Sequence, residues 1–207
     1  MLRSQMFLIS YKIFFALLSF GAVVTEIATL VERGYFTPLN FFSYFTIQTN
    51  ILVFVTLLLS ALALAAGRER RLDVLRSAVT VYILVVGIGF SLLLARMEGL
   101  VLTAVPWDNT VLHYIIPAAM LVDFLIDRPK RALSFKKSLV WLLFPVLYVT
   151  YALMRGAMTG WYPYPFLNPA TSGYGSVALT VIGLFVLGLI LIAVVTWLTV
   201  SKKRSKA

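Results

Sequence analysis

Side chains that could support acyl transfer are concentrated in two stretches of an otherwise apolar sequence. The first runs from Phe41 to Asn50 and carries the hydroxyls of Ser43 and Thr46, and the second contains the single histidine, His113. A hydroxyl becomes a useful nucleophile when a neighbouring base takes its proton. Histidine suits that role because its unperturbed pKa lies near neutrality. Ser43 or Thr46 beside His113 could therefore attack an ester carbonyl.

Amide side chains accompany these groups at helical spacing. On a continuous helix, Ser43, Thr46 and Asn50 would share one face, whereas Gln48 would point elsewhere. Asn109 lies four residues before His113 and would share its face. Such amides could orient the imidazole or stabilise an oxyanion. Each residue also has a structural alternative, because hydroxyls often bond to carbonyls one turn back and amides often link membrane helices.

The elements that would position these groups are transmembrane helices. Hydrophobic residues make up 61% of the 207-residue chain and the mean hydropathy is +0.94, well above a typical soluble domain. Apolar runs of about 20 residues, long enough to span a bilayer, recur throughout. The sequence therefore predicts an all-α, integral membrane bundle of six helices forming one domain over 1–207, with helices at about 6–31, 41–66, 74–95, 109–126, 138–153 and 174–200.

The charge pattern predicts the orientation of the bundle. The formal net charge is +10, and the basic residues are concentrated in two connecting segments, 67–73 and 127–137, and at both termini. Because cytoplasmic loops are enriched in Lys and Arg, both termini and these segments are expected in the cytoplasm. The same distribution accounts for the positive charge without a nucleic-acid partner. Lys12 and Glu26 in the first apolar run indicate a retained helix rather than a signal peptide.

With this topology, the polar groups converge near the outer side of the membrane. Glu26 lies in the outer half of the first helix, and the aromatic, proline-rich connection carrying Trp161, Tyr164 and Phe166 is also outside. These residues are predicted to bind or orient a substrate, with the connection forming a cavity wall. Intramembrane polar groups suggest function by default, although an interfacial aromatic belt would also explain the connection.

These stretches resemble the androgen-induced protein family, which includes the androgen-dependent regulator of tissue factor pathway inhibitor and small prokaryotic relatives labelled Pr6Pr membrane proteins. The segment from Asn40 to Asn50 resembles the family's motif in the second helix. Asn109-x-x-x-His113, with Asp123 ten positions later, resembles the family's Asn-x-x-x-His pattern. Tyr164-Pro-Phe-Leu167, four residues after Gly160, resembles its Tyr-Pro-Phe-Leu motif.

The resemblance implies a multi-pass hydrolase of fatty acid esters of hydroxy fatty acids or similar lipid esters, in a prokaryotic cytoplasmic membrane. It implies a threonine nucleophile and a histidine, the latter matching His113. A gap-free match places Ser43 at the nucleophile position and is preferred narrowly, whereas Thr46, one turn further on, keeps the residue type. The expected partner is a lipid substrate from the bilayer, without a cofactor or metal, and the oligomeric state stays open.

Two other functions are compatible with the same residues. A small transporter or channel could use Lys12, Glu26 and His113 along a path, although no paired broken helices or inverted repeat are visible. A non-catalytic protein could bind lipid in the same pocket.

Asp123 and Asp127 are expected near the cytoplasmic end of the fourth helix, facing water or paired with Arg128 and Lys130.

The predicted orientation can be tested by cysteine labelling, because the native chain contains no cysteine. In intact cells, Gly34→Cys and Pro165→Cys should react with a membrane-impermeant thiol reagent, whereas Arg70→Cys should react only after permeabilisation. Reaction at position 70 alone in intact cells would reverse the orientation.

Overall fold

The six expected long helices are present in a computed structural model, which describes residues 2–68, 72–95, 97, 103–129 and 131–204. These residues form helices and no strand, so the predicted all-α class is confirmed for them. Two short helices, α2 and α7, precede the second and sixth long helices. Within the described ranges, six helices are long and apolar enough to cross a membrane. The helices run as α1 Leu2–Glu32, α2 Pro38–Phe41, α3 Phe45–Ala65, α4 Asp73–Leu93, α5 Pro106–Ile126, α6 Phe135–Thr159, α7 Pro169–Ser172 and α8 Tyr174–Arg204.

The second predicted helix, 41–66, is interrupted near its start. The chain turns after α2, Tyr44 has an extended backbone, and α3 begins only at Phe45. Two side chains stabilise the turn: Tyr148 donates to the Ser43 carbonyl at 3.1 Å and Gln48 to the Phe42 carbonyl at 2.8 Å. The expectation that Ser43 lies on the same helix as Thr46 and Asn50 is therefore wrong.

Helix α6 is longer than the predicted range 138–153, and it continues to Thr159. The polar Arg155 ends the apolar pattern in the sequence, but its guanidinium donates to the side-chain oxygen of Asn40 at 2.6 Å. The helix ends at Gly160, whose φ of +73° is readily adopted only by residues without a Cβ.

The long helices pack around an apolar core. Helix α1 lies against α3, α3 against α4, and α4 against both α5 and α8. Val53, Ile83, Leu112 and Met120 are fully buried at their centre. Helices α6 and α8 are more peripheral and expose large apolar side chains, including Leu179. Such an exposed apolar surface is typical of helices that face lipid.

A cluster of buried charges joins three helices on the side of the bundle where α1 begins. This charge cluster consists of Lys12 on α1, Arg76 on α4, Asp123 on α5 and Asp127 just after α5. Lys12 and Arg76 each contact both carboxylates, and the Lys12–Asp127 distance is 2.9 Å. Asp123 is completely buried. Because uncompensated charge is costly inside a protein, the four side chains hold the helices in register.

The charge cluster corrects the expected surroundings of two carboxylates. Asp123 faces neighbouring helices rather than water, and both Asp123 and Asp127 pair with Lys12 and Arg76. Lys130 lies outside the described residues. Burial alone would raise the pKa of Asp127, but the positive charges of Arg76 and Lys12 outweigh it and hold that pKa below its usual value.

Removing one cation from the charge cluster should destabilise the bundle. Lys12→Met leaves Asp123 buried with one cationic partner fewer, and we expect a loss of about 3 kcal/mol in the free energy of unfolding. The double variant Lys12→Met/Asp123→Leu should recover part of that loss because the buried charge is removed as well. Unfolding in detergent measures both, with the exposed lysine variant Lys136→Met as the control. Equal stability of Lys12→Met and Lys136→Met would contradict this role.

Candidate active site

A proline positions His113 by widening the helix that carries it. Pro117 has no backbone N–H to donate to the His113 carbonyl four residues earlier, and its ring crowds that carbonyl. The turn Val111–Ile115 accordingly adopts π-helical geometry. Gly87 of α4 provides the space for this turn: a Cβ at Gly87 would lie 2.9 Å from the Pro117 Cβ. Single π-helical turns of this kind occur frequently at functional sites.

The hydrogen bonds of His113 determine which ring nitrogen carries the proton. Its Nδ1 lies 3.0 Å from the Asn109 carbonyl oxygen, which can only accept, so Nδ1 carries the hydrogen. The unprotonated Nε2 then faces the Thr46 Oγ1 at 3.4 Å. The imidazole also stacks on Phe90, with ring centres 4.0 Å apart. His113 is thus buried and held with a proton-accepting nitrogen directed at a hydroxyl.

Thr46 and Tyr164 extend this arrangement into a directional chain of hydrogen bonds. The Thr46 hydroxyl donates to His113, so it can only accept from the Tyr164 hydroxyl, which lies 3.2 Å away. The backbone N–H of Thr46 donates to the same tyrosine oxygen at 3.1 Å. Burial raises the pKa of Tyr164 to about 12, so its hydroxyl remains protonated at neutral pH. Thr46 therefore lies between a base and a proton donor.

Ser43, the other candidate nucleophile, has different neighbours. Its hydroxyl donates to the Leu39 carbonyl and lies 2.7 Å from the Tyr151 hydroxyl. These contacts stabilise the turn before α3, and the structure shows no hydrogen bond from Ser43 to His113. Of the two hydroxyls, Thr46 is the one that faces His113, and its 3.4 Å contact has the looser spacing common in ligand-free sites.

The three candidate amides have mainly structural contacts. Asn50 donates to the Thr46 and Leu112 carbonyls and accepts from Ser19, so it links α1, α3 and α5. Gln48 supports the turn before α3. Asn109 acts on His113 through its backbone carbonyl. An orienting role therefore fits Asn109, whereas Asn50 contacts neither the imidazole nor the Tyr164 hydroxyl.

The connection between α6 and α8, residues 160–173, packs against the site. Tyr162 lies so close to Gly156 of α6 that a Cβ there would be 2.0 Å from the tyrosine ring. Trp161 lies under the Arg155 guanidinium, 4.5 Å from the ring centre. Phe166 stacks on Tyr164 with ring centres 5.0 Å apart. These contacts fix the Tyr164 hydroxyl at Thr46 and place the connection in the cavity wall, where the sequence analysis expected it.

A cavity of about 380 Å³ lies on the imidazole side of Thr46 and is called the polar cavity. Arg33, Glu26, Asn40 and Trp161 contribute to its wall together with His113. Both Glu26 oxygens accept from the Ala104 N–H at 2.8 Å, and the carboxyl lies beside that of the buried Asp108. This cavity could hold water and polar parts of a ligand.

A second cavity, of about 340 Å³, lies on the other side of Thr46 and is called the apolar cavity. Aliphatic and aromatic side chains of α4, α6 and α8 form almost all of its wall, with Phe166 and Leu167 at one end. Thr46 and Tyr164 line both cavities. The candidate nucleophile is consequently placed at a boundary between apolar and polar space.

Some residues at the site were not identified by sequence reasoning. Phe90 and Tyr151 belong to apolar helices, and nothing in their spacing distinguishes them from lipid-facing aromatics. Asp108 could have been identified from the sequence, because an acidic residue two positions after Pro106 is typical of the first turn of a helix. Lys12, proposed for a transport path, belongs to the charge cluster and lines neither cavity.

Comparison of the chain with known proteins gave no match to a family model, a curated protein or a solved structure.

The protonation of His113 gives a direct test of the site geometry. At pH 8, above the unperturbed histidine pKa of about 6.5, we expect the ring to be neutral with hydrogen on Nδ1, because Nδ1 must donate to Asn109. Nitrogen-15 NMR of histidine-labelled protein distinguishes the two tautomers, and a single histidine makes the signal unambiguous. Hydrogen on Nε2 would mean that His113 cannot accept the Thr46 proton.

Proposed function

We propose that this protein is a multi-pass membrane hydrolase of lipid esters, such as fatty acid esters of hydroxy fatty acids, with Thr46 as nucleophile and His113 as base. One observation supports this most strongly: the Thr46 hydroxyl faces the unprotonated nitrogen of a buried, oriented histidine where an apolar and a polar cavity meet. Ester hydrolysis needs a nucleophile, a base, an apolar subsite and access for water, and this arrangement offers each.

In the first half of the proposed reaction, His113 Nε2 takes the Thr46 proton while Thr46 Oγ1 bonds to the ester carbonyl carbon. The carbonyl oxygen becomes an oxyanion. The Tyr164 hydroxyl and the Thr46 N–H, which now bond to each other, lie close enough to be donors to it. Protonated His113 then gives its proton to the leaving alkoxide as the carbon–oxygen ester bond breaks, which leaves an acyl group on Thr46.

In the second half, a water molecule from the polar cavity attacks the acyl group. His113 again acts as the base by taking a proton from this water. The tetrahedral intermediate collapses, Thr46 leaves with the proton held by His113, and the carboxylic acid is released. The Asn109 carbonyl stabilises the imidazolium in both halves because it accepts from Nδ1–H throughout.

Non-catalytic lipid binding is the second candidate, because the apolar cavity alone would support it. It differs from hydrolysis in requiring no contact between Thr46 and His113. The transporter hypothesis has less support, since Lys12 is sequestered in the charge cluster and only Glu26 and His113 share a cavity.

Substitution of the two hydroxyls and the histidine tests the proposed mechanism. His113→Ala should lower ester hydrolysis by roughly 10²–10⁴-fold, the usual contribution of general-base catalysis. Thr46→Ala should abolish turnover and labelling by a fluorophosphonate probe, whereas Thr46→Ser should retain both. Ser43→Ala should have a small effect, because Ser43 stabilises only the turn. Purified protein in detergent and lipid-ester substrates provide the measurement.

Thr49→Ala is the matched control, since Thr49 is a buried threonine of the same helix whose hydroxyl has no hydrogen-bond partner among the described residues. Unfolding measurements identify variants that simply fail to fold. A folded Thr46→Ala/Ser43→Ala protein that hydrolyses esters as well as the wild type would falsify the nucleophilic mechanism. A wild-type protein that binds lipid esters without cleaving them would favour the binding function instead.

A further inference from the structure

The apolar cavity is a deep slot with the candidate nucleophile at one end. Thr46, Tyr164 and Leu94 lie at that end, and Val81, Trp141 and Ile192 lie at the other. On α4 the wall extends from Leu94 back to Val81, which corresponds to about 20 Å at a rise of 1.5 Å per residue. The slot is therefore long and narrow rather than round.

The far end of the slot lies against a packed apolar cluster. Val81, Trp141 and Ile192 belong to this cluster and are almost completely buried. The Tyr82 hydroxyl donates to the Trp141 carbonyl at 2.7 Å, which fixes the backbone that carries the indole. A ligand that extends from Thr46 thus reaches a rigid wall.

A glycine keeps the slot open between its two ends. Gly188 of α8 lines the slot, and a Cβ there would make ordinary contact with Leu142 of α6, at 3.4 Å. Because Leu142 lines the slot as well, we expect a larger side chain at Gly188 to narrow it. Gly183 on the same helix differs, since it does not line the slot and a Cβ there would meet nothing within 4 Å.

The slot opens sideways between α6 and α8. Val146 and Phe185 line it and are also 43% and 41% exposed, so this opening lies on the surface that faces lipid. The wall offers almost no polar group, which disfavours water as an occupant. An unbranched hydrocarbon chain from the bilayer fits both the narrow shape and the apolar wall of the slot. Because Thr46 lines one end of the slot, the ester carbonyl of such a chain would lie at that end.

We infer that the slot binds the acyl chain of the ester, with the carbonyl at Thr46 and the chain terminus against Trp141, and that Gly188 sets the longest chain accepted. This inference rests on the proposed hydrolase function and specifies its substrate. The acid half of the ester occupies the apolar cavity, and the alcohol half occupies the polar cavity. Selectivity for chain length then follows from the distance between the nucleophile and the closed end.

Chain-length profiles test this assignment through activity. With p-nitrophenyl esters from butanoate to octadecanoate, Gly188→Leu should lower kcat/KM for the longest chains by roughly tenfold or more, because several methylenes lose their binding site. Butanoate should be hydrolysed at the wild-type rate. Gly183→Leu should leave the whole profile unchanged. A wild-type profile for Gly188→Leu would overturn the inference while leaving the hydrolase proposal intact.

Fluorescence of Trp141 tests the same assignment without catalysis. In a Trp107→Phe/Trp161→Phe/Trp197→Phe protein, Trp141 is the only remaining tryptophan. A fatty acid brominated at its terminal carbon should quench this fluorescence, whereas bromine next to the carboxyl group should not. Introducing Gly188→Leu should abolish the quenching. Equal quenching by both fatty acids, or quenching that survives Gly188→Leu, would show adventitious hydrocarbon binding only and would contradict the slot assignment.

The two experiments separate the two proposals. Depth-dependent quenching without ester cleavage by the wild type would sustain the chain-binding slot and reject the hydrolase. Ester cleavage by the wild type, together with a wild-type chain-length profile for Gly188→Leu, would sustain the hydrolase and reject the slot assignment.

Discussion

Inside a bundle of apolar helices, a polar side chain that is shielded from water is stabilised by a partner on another part of the chain. Two groups of polar side chains are paired in this way. On one side, Lys12, Arg76, Asp123 and Asp127 neutralise one another and join α1, α4 and α5. On the other, Asn109, His113, Thr46 and Tyr164 form a single hydrogen-bond chain. The two groups share α5, which carries Asp123 in the first group and Asn109 and His113 in the second.

The direction of each hydrogen bond in this chain follows from the two backbone groups at its ends. The Asn109 carbonyl can only accept, and the Thr46 N–H can only donate, so every hydrogen between them has an assigned position. This order is imposed by backbone groups, which side-chain substitution cannot remove. The π-helical turn before Pro117 contributes because it sets the position of His113 relative to the Asn109 carbonyl. In the proposed reaction, a base fixed in this way would need little reorganisation.

The sequence predicted the number of long helices because hydropathy carries that information directly, and residue type alone made His113 and the two hydroxyls candidates. The choice between Ser43 and Thr46 depends on where α3 begins, and that boundary is set by Tyr148 and Gln48 bonding to carbonyls of the turn. Tyr148 is over one hundred residues away in sequence, so no local pattern reports the contact. The pairing of Lys12 with Asp123 could not be predicted either, because these residues are also far apart in sequence. Helix spacing shows which face of a helix carries a charge, but it does not show which other helix that face contacts.

The boundary position of Thr46 has a consequence for how a reaction there would end. The two fragments of a cleaved ester would form on opposite sides of Thr46, one in the apolar cavity and the other in the polar cavity. A fatty acid would return to the bilayer through the opening beside Val146 and Phe185, whereas the other fragment would depart through the polar cavity. The reverse reaction would require the fatty acid to enter from the bilayer while the other fragment enters through the polar cavity. Inhibition by the acid product would then depend on the free fatty acid content of the membrane, and inhibition by the alcohol product would depend on its own concentration at the polar cavity.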